Sequence, residues 1–485
     1  MESPGLPGMK IVLISSNTTT SPYPVYPLGM SMVAAALRDA GHEVLTLDLL
    51  HQSRDEALAV IAAEKPRLIG ISIRNIDNVN LLNEKRYIPA VTELVAALRQ
   101  ASDATILLGG AGFSILPERI LEETGADFGI VGEGERQIVE FAANAEAGRF
   151  PEDRCIRSGS LIDGGAIRSA WYQPDLMEFY RESGSLAGIQ SKRGCIHHCV
   201  YCTYPYLEGR ELRPRNPNDV ADEIETLISD FHAPQFHFTD SVFNDNEDHY
   251  RAVVEELARR NLSTPWTAFF KPGNLDAEIV ALMKRTGLQA VELGTDASTN
   301  TTLKQLGKSF TWAEVDATNN LLLDHGISVA HYIMFGGPGE SRETVGEGIA
   351  NIKALRKSAI FVFLGIRILP GTPLLNLARR EGLVAPDHDL LTPVYYISPA
   401  VEQAWLHQTL EDGFRSINHI VYPPDAFEGT IQMLKRMGNH SGPLWELLVR
   451  EPVRRQRPKR KPAGEHREPL NAESPDVLAG RRLLK

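Results

Sequence analysis

Short apolar runs alternate with amphipathic stretches along most of this chain. Ile11-Val12-Leu13-Ile14 lies inside a run, residues 10–15, that reads as a buried strand. Prolines at 22, 24 and 27 precede a helical pattern over 28–40, which Gly41 ends. Strand-like runs follow at 43–49, 68–73, 105–108 and 128–131. Helical patterns lie between them at 58–64, 88–100 and 117–124, and one more runs from 135 to 147. Runs that are apolar throughout are the mark of strands covered on both faces. Their alternation with helices predicts an α/β fold, a doubly wound parallel sheet over 9–150. Residues 151–185 are mixed and polar and read as a linker with a small hairpin near Asp163-Gly164-Gly165. A second series then begins. Strands are predicted at 188–192, 235–239, 266–270, 290–293, 328–334 and 360–368. Helices are predicted at 218–231 (with Asn218 as its cap), 249–260, 276–286, 312–325 and 343–356. Strand-then-helix units in this number predict a partial (β/α)6 barrel over 186–400. Residues 401–450 read as a C-terminal helical cap. Residues 451–485 hold ten Lys or Arg against five Asp or Glu and several prolines, which reads as a disordered basic tail.

Composition narrows the function classes. The 485 residues suggest two or three domains. A hydrophobic content of 43% and a charged content of 23% are those of a globular protein with sizeable cores. The net charge of −12 speaks against a general nucleic-acid surface. No apolar stretch approaches the roughly 20 residues that span a bilayer. The first residues lack a basic segment ahead of an apolar run, so no secretory signal is expected.

The strand ends carry the unusual residues. In doubly wound sheets ligands bind at the carboxyl ends of the strands. Here these ends hold Ser15, Ser16 and Asn17, then Ser72 and Arg74, then Gly109, Gly110 and Gly112, then Gly132, Glu133, Gly134 and Glu135. None of this spells GxGxxG, so a dinucleotide site is not supported. In the barrel the corresponding ends hold Thr239-Asp240-Ser241, then Glu292, Thr295 and Asp296, then the run Gly336-Gly337-Pro338-Gly339-Glu340. The last strand ends in Leu369-Pro370-Gly371-Thr372-Pro373. Such barrels place their chemistry at this face.

Three of the four cysteines stand in one loop, Cys195-Ile196-His197-His198-Cys199-Val200-Tyr201-Cys202, at a CxxxCxxC spacing. This is not a disulfide framework. Thiolates this close suit zinc, copper(I) or an iron–sulfur cluster. A structural zinc site would need a fourth ligand such as His197 or His198, and usually comes as two separated pairs. A cubane held by three cysteines leaves its fourth iron open to a small molecule. Cys155 stands alone and reads as a spectator thiol.

The loop and the pieces that follow it resemble the radical S-adenosylmethionine (SAM) superfamily. The resemblance implies that Cys195, Cys199 and Cys202 ligate a [4Fe–4S] cluster whose open iron binds SAM, and that the reduced cluster cleaves SAM to an adenosyl radical. It places Tyr201 beside the adenine and Thr239-Asp240-Ser241 at the SAM amino group, in place of the commoner Gly-Gly-Glu. It makes Glu292, Thr295 and Asp296 candidates for the ribose and the methionine end, and Gly336 and Gly337 part of the adenine-side turn. The first domain resembles the cobalamin-binding domain that precedes many radical SAM domains, through Leu107-Leu108-Gly109-Gly110 and Val131-Gly132-Glu133-Gly134-Glu135. That implies cobalamin contacts from Ser15, Asn17, Ser72, Arg74, Gly109, Gly110, Gly112, Gly132 and Glu133. The cobalt-ligating signature DxHxxG is absent. His42 and His51 stand at the wrong ends of their elements to replace it. Arg74, whose guanidinium does not coordinate metals, either lies under cobalt and keeps its lower face empty, or makes a salt bridge, or touches a corrin amide. The implied activity is a cobalamin-dependent methyltransferase acting on an unactivated carbon of a small-molecule or lipid-like substrate. The alternatives are radical cyclisation or rearrangement without methyl transfer, and a non-enzymatic regulator. An electron donor such as flavodoxin or ferredoxin and a reducing cytoplasm fit an oxygen-sensitive cluster.

Overall fold

A computed structural model describes residues 8–20, 24–429 and 443–449. Its first sheet has six parallel strands: β1 (Lys10–Ser15), β2 (Glu43–Asp48), β3 (Leu68–Ser72), β4 (Thr105–Gly109), β5 (Phe128–Val131) and β6 (Cys155–Arg157), in the order β2-β1-β3-β4-β5-β6. The order reverses between β1 and β3, which is where a doubly wound sheet opens its ligand crevice. Helices α1 (Leu28–Asp39), α2 (Arg54–Glu64), α3 (Ile88–Ala101), α4 (Ala111–Ile115), α5 (Pro117–Thr124) and α6 (Glu135–Glu146) connect the strands. The apolar runs are buried as their composition requires: Ile11, Val12, Ile14, Ile69 and Leu108 have no measurable exposure.

The stretch 151–185 is more ordered than its polarity suggests. It supplies β6 and the helix α7 (Pro174–Glu182), and Gly164–Ala166 form a 3-10 turn rather than a hairpin. Tyr172, Leu176, Met177 and Tyr180 of this stretch are buried with Tyr26 of the first domain and the Trp266 and Phe236 side chains of the second. The Tyr180 hydroxyl donates to the Asp48 carboxylate at 3.0 Å. Burial outweighs hydrogen bonds in holding the Asp48 carboxyl above its usual range.

The second sheet has seven parallel strands in the order β17-β14-β13-β12-β11-β10-β7. They are β7 (Ala187–Ile189), β10 (Phe236–Phe238), β11 (Trp266–Phe270), β12 (Leu288–Asp296), β13 (Ser328–Phe335), β14 (Ala359–Leu364) and β17 (Ile420–Val421). A two-residue antiparallel ribbon, β8 (Lys192–Arg193) with β9 (Arg213–Pro214), closes the base of the cysteine loop, and helix α8 (Tyr204–Leu207) lies inside that loop. Outside the strands run α9 (Pro217–Ser229), α10 (His249–Arg259), α11 (Ala277–Arg285), α12 (Asn300–Gln305), α13 (Trp312–Asp324), α14 (Arg342–Ala354) and α15 (Pro373–Arg380). The cap of α9 is Asn216, not Asn218: its side chain accepts from the Asn218 N–H at 2.9 Å, and Pro217 fills the first helical position, where no donor is needed.

The apolar run 360–368 is not one strand. The chain leaves β14 at Gly365, which adopts φ of +72°. It then pairs β15 (Ile366–Arg367) antiparallel with β16 (Tyr395–Tyr396). The region 401–429 contributes one helix, α16 (Gln403–Phe414), the strand β17 and a 3-10 turn at Pro424–Phe427. A second 3-10 turn, Leu444–Leu448, follows. Residues 430–442 and 450 of the expected helical cap, and the basic tail 451–485, lie outside the described residues.

Candidate active site

The cysteine loop is pinned from three sides. Gly194 adopts φ of +93°, and a Cβ there would lie 1.9 Å from the Glu211 carbonyl oxygen, so only glycine lets the two sides of the neck close. The Cys195 N–H donates to Gly209 O at 3.0 Å. At the far side the Val200 N–H donates to Leu306 O at 3.1 Å, and Leu374 N–H donates back to Val200 O at 2.9 Å. The loop therefore rests on the segment after α12 and on the first turn of α15.

Its three cysteines line a pocket of about 320 Å³ at the carboxyl ends of the barrel strands, with Tyr201, Thr239, Asp240, Ser241, Glu292 and Asp296. Of the barrel residues singled out by sequence, these six enter the pocket. Thr295, Gly336 and Gly337 do not line it. Thr295 is fully buried, hydrogen-bonded through its hydroxyl to His331 at 2.8 Å. Gly336 and Gly337 form the turn after β13, which the Glu340 carboxylate braces by accepting from the Gly336 N–H at 3.2 Å.

Charge in the pocket is organised by groups that sequence reasoning missed. Lys308 donates to Asp296 and, at 3.1 Å, to the Tyr201 hydroxyl. That hydroxyl donates to the same Asp296 oxygen at 2.5 Å. Burial alone would depress the Lys308 ammonium, but Asp296 and Cys199 more than offset it and hold it above its ordinary value. Asp296 sits at a register shift of β12 with φ of +63°, a strained backbone for a non-glycine residue and one that turns up at functional sites. Asp240 is committed at the pocket wall: it accepts from the Ser191 N–H at 2.7 Å and from the Lys192 ammonium at 3.1 Å. Ser241 donates to Glu208 at 3.1 Å. Glu292 accepts from the Trp445 indole N–H at 3.1 Å, and burial pushes its carboxyl up despite that bond. Phe269, Phe270, Phe310 and Tyr332 supply apolar wall, and Lys271 an ammonium with no ion pair among the described residues. Lys271 is rigidly placed, because Asn244 bonds its N–H and its carbonyl, both at 2.9 Å. No sequence periodicity marks Lys308 or Lys271; the fold brings Lys308 to a tyrosine 107 residues away.

The cysteines fit a multinuclear cluster. Burial pushes the Cys195 thiol up and the Cys202 thiol up to about 12, which favours the neutral thiols, and a coordinated metal would reverse that preference. Among the described residues no three His, Cys, Asp or Glu side chains are arranged to hold a single ion. His198 is engaged by the Arg210 guanidinium at 3.2 Å rather than turned to the cysteines.

The crevice of the first sheet opens nearby: α8 packs against α4. At its edge the Asn17 amide nitrogen is buried and has no hydrogen-bond partner, which leaves a donor for a polar ligand. Ser16 donates to Ser72 O at 2.9 Å and ties the ends of β1 and β3 together. Arg74 is exposed and makes no hydrogen bond or ion pair among the described residues. A Cβ at Gly112 would lie 2.9 Å from Asn75 N, and one at Gly110 would lie 2.6 Å from Ile73 O. These two glycines let β4 close on β3, while Gly109 alone of the three faces open space. Gly132 reaches the cysteine loop, its missing Cβ 3.6 Å from Leu207 O. Glu133, expected at the crevice, is instead buried in ion pairs with Arg193 and Arg213. Of the two histidines weighed from the sequence, His42 accepts from Met9 N–H at the amino end of the strands, whereas His51, contrary to expectation, follows the carboxyl end of β2, where it packs on Phe179.

Comparison with known proteins agrees with this geometry. The B12 binding domain profile matches residues 14–142, and the radical SAM superfamily profile matches residues 189–371. The chain is 25% identical over 429 residues to tryptophan 2-C-methyltransferase of Streptomyces laurentii, covering 72% of this chain and 71% of that protein. It is 22% identical to cytidylyl-2-hydroxyethylphosphonate methyltransferase of Streptomyces wedmorensis, covering 80% and 84%. Among solved structures, the radical SAM methyltransferase TsrM of Kitasatospora setae, with cobalamin and a [4Fe–4S] cluster bound, superposes with a TM-score of 0.79 at 22% identity, over 91% of this chain and 97% of that one. With a cysteine loop at the mouth of a parallel barrel and a switch-point crevice beside it, the chain belongs to the cobalamin-binding-domain-containing radical SAM enzymes.

Proposed function

We propose that this radical SAM enzyme is a cobalamin-dependent methyltransferase that acts on an unactivated carbon of a small-molecule substrate. The observation that carries this reading is the packing of α8, inside the cysteine loop, on α4 beside the crevice of the first sheet, which supports a cluster and a corrin held side by side. When bound, a [4Fe–4S] cluster with SAM supplies a hydrogen-abstracting radical, and cobalamin supplies a methyl carrier. Cys195, Cys199 and Cys202 would hold the cluster. Tyr201, Thr239, Asp240, Ser241, Glu292 and Asp296 line the pocket that SAM and substrate would share. The aromatic walls keep water from a radical site. Lys271 offers its ammonium to an anionic group of a ligand. Asn17, Ser15, Ser72, Arg74, Gly109, Gly110, Gly112 and Gly132 lie on or next to the crevice edge, and the orphaned Asn17 amide suits the amide-rich rim of a corrin. One-electron reduction would come from a flavodoxin- or ferredoxin-type donor.

The test is anaerobic incubation of reconstituted protein with methyl-labelled SAM and a metabolite extract. Label in a new product, with both S-adenosylhomocysteine and 5′-deoxyadenosine released, is expected. 5′-Deoxyadenosine without S-adenosylhomocysteine would replace methyl transfer with cyclisation or rearrangement.

Two further results are expected of the first domain. Spin resonance of its cobalt(II) form should lack splitting from a lower nitrogen, since His42 lies at the amino end of the strands and His51 packs on Phe179; clear nitrogen splitting would contradict a cobalt without a histidine ligand. Arg74 makes no hydrogen bond or ion pair among the described residues, so we take its charge to be available to a corrin. Arg74→Ala and Arg74→Lys should slow S-adenosylhomocysteine formation about tenfold, roughly the worth of one charge-assisted contact, while 5′-deoxyadenosine production continues. Wild-type rates of both products in both variants would remove Arg74 from the site.

A further inference from the structure

Two arginines frame the neck of the cysteine loop. Arg193 stands two residues before Cys195, and Arg213 lies directly opposite it in the β8–β9 ribbon. Both side chains turn to the same carboxylate, and it comes from the other domain. Glu133, in the turn between β5 and α6, accepts from Arg193 Nη1 at 3.1 Å and from Arg213 Nη1 at 2.8 Å. Its second oxygen accepts from the Ile162 N–H at 2.7 Å. Glu135, two residues on at the start of α6, takes the other end of the Arg193 guanidinium. The side chains of Glu133 and Arg193 are each 6% exposed and that of Arg213 is 11% exposed, so these charges are satisfied by one another and not by water. Arg213 also donates to Glu208 O at 2.6 Å, on the returning side of the loop.

We infer that Glu133 is a positioning residue for the cysteine loop: through Arg193 and Arg213 the cobalamin-binding domain sets the neck from which Cys195, Cys199 and Cys202 are presented. This rests on the reading of those cysteines as cluster ligands. It assigns the Gly132-Glu133-Gly134-Glu135 turn a second role. The glycine supplies the φ of +82° that opens the turn beside α8, and the carboxylates grip the loop's base. A buried pair of this kind is costly to break from one side, because the remaining charge is left without a partner.

The test uses the full chain reconstituted with iron and sulfide, and compares Glu133→Gln, Arg213→Met and the double variant. The control is Asp77→Asn, which removes a different buried ion pair between the same domains, Asp77 with Arg367 at 2.8 Å, which touches no residue of the cysteine loop. The readouts are the rate of iron loss to a ferrous chelator, the spin-resonance signal of the reduced cluster, hydroxocobalamin affinity and the melting midpoint. Glu133→Gln and Arg213→Met should each release iron about tenfold faster with an altered signal, and the double variant should be no worse than about tenfold, since the two changes remove one interaction. Hydroxocobalamin affinity should stay within about twofold. Asp77→Asn should lower the midpoint and leave iron release and signal unchanged. The inference is overturned if Glu133→Gln retains iron as the wild type does, if Asp77→Asn accelerates iron loss equally, or if Glu133→Gln loses cobalamin while keeping iron, which would make Glu133 a corrin contact. A wild-type protein that takes up no iron would instead refute the functional reading on which this rests.

Discussion

Alanine at Cys195, Cys199 or Cys202 abolishes iron binding and SAM cleavage together, while the protein stays folded. The loss is expected to be complete for each residue and not graded. Three thiolates are the minimum that fixes a cubane and leaves one iron open, and the imidazole of His197, which also lines the pocket, is neutral and brings no thiolate charge. His198 is held by Arg210, and the nearest acidic side chains are committed, Asp240 to Lys192 and Asp296 to Lys308. Folding should survive because Cys199 and Cys202 are only half-buried and the loop is anchored by backbone bonds to Gly209, Leu306 and Leu374. The measurements are iron and sulfide content after anaerobic reconstitution, 5′-deoxyadenosine yield, and circular dichroism. About four irons per wild-type chain are expected, the content of a cubane. Zinc at full occupancy with no iron would sink the cluster assignment.

Lys192→Met should be the most destabilising single change near the site. The Lys192 ammonium lies 3.1 Å from Asp240 and 3.2 Å from Asp245, and all three side chains are at most 2% exposed. It also donates to Phe243 O at 2.8 Å. Removing it strands two carboxylates in a dry site, at a cost of about 3–5 kcal/mol. The melting midpoint should fall by about 3–5 °C for a compact unit of this size, and SAM affinity should fall with it, because Asp240 loses the partner that fixes it at the pocket wall. Lys192→Met combined with Asp245→Asn should recover part of the midpoint, since one stranded charge is gone. A variant melting within about 2 °C of wild type would show that water reaches this pair.

Much of the fold could be read along the chain. The apolar runs of β1, β3 and β4 are buried on both faces, so their composition alone marks them, and the strand–helix alternation dictates a parallel sheet. Readings failed where a segment's state depends on a distant partner. The polar stretch 151–185 became β6 and α7 because it is packed between two sheets, and Tyr172 and Tyr180 find their hydroxyl partners in Glu223 and Asp48. The run 360–368 broke at Gly365 because that residue takes φ of +72° and turns Ile366 and Arg367 onto Tyr396 and Tyr395, a distant partner that local hydrophobicity does not encode.

The site divides the same way. The CxxxCxxC spacing, the polar strand ends and the missing DxHxxG signature are local properties, and the sequence by itself determined them: which thiols can share a cluster, which barrel face is reactive, and that the crevice lacks its usual histidine motif. Only the tertiary structure decided that Lys308 joins Tyr201 at Asp296, that Thr295 faces His331 in the core, and that Glu133 pairs with Arg193 and Arg213. The reason is physical. Ligand spacing within a loop is set by covalent geometry over a few residues. A buried charge takes whichever opposite charge folding brings within about 3 Å, and that choice is made across 60 or more residues, as with Glu133 and Arg193.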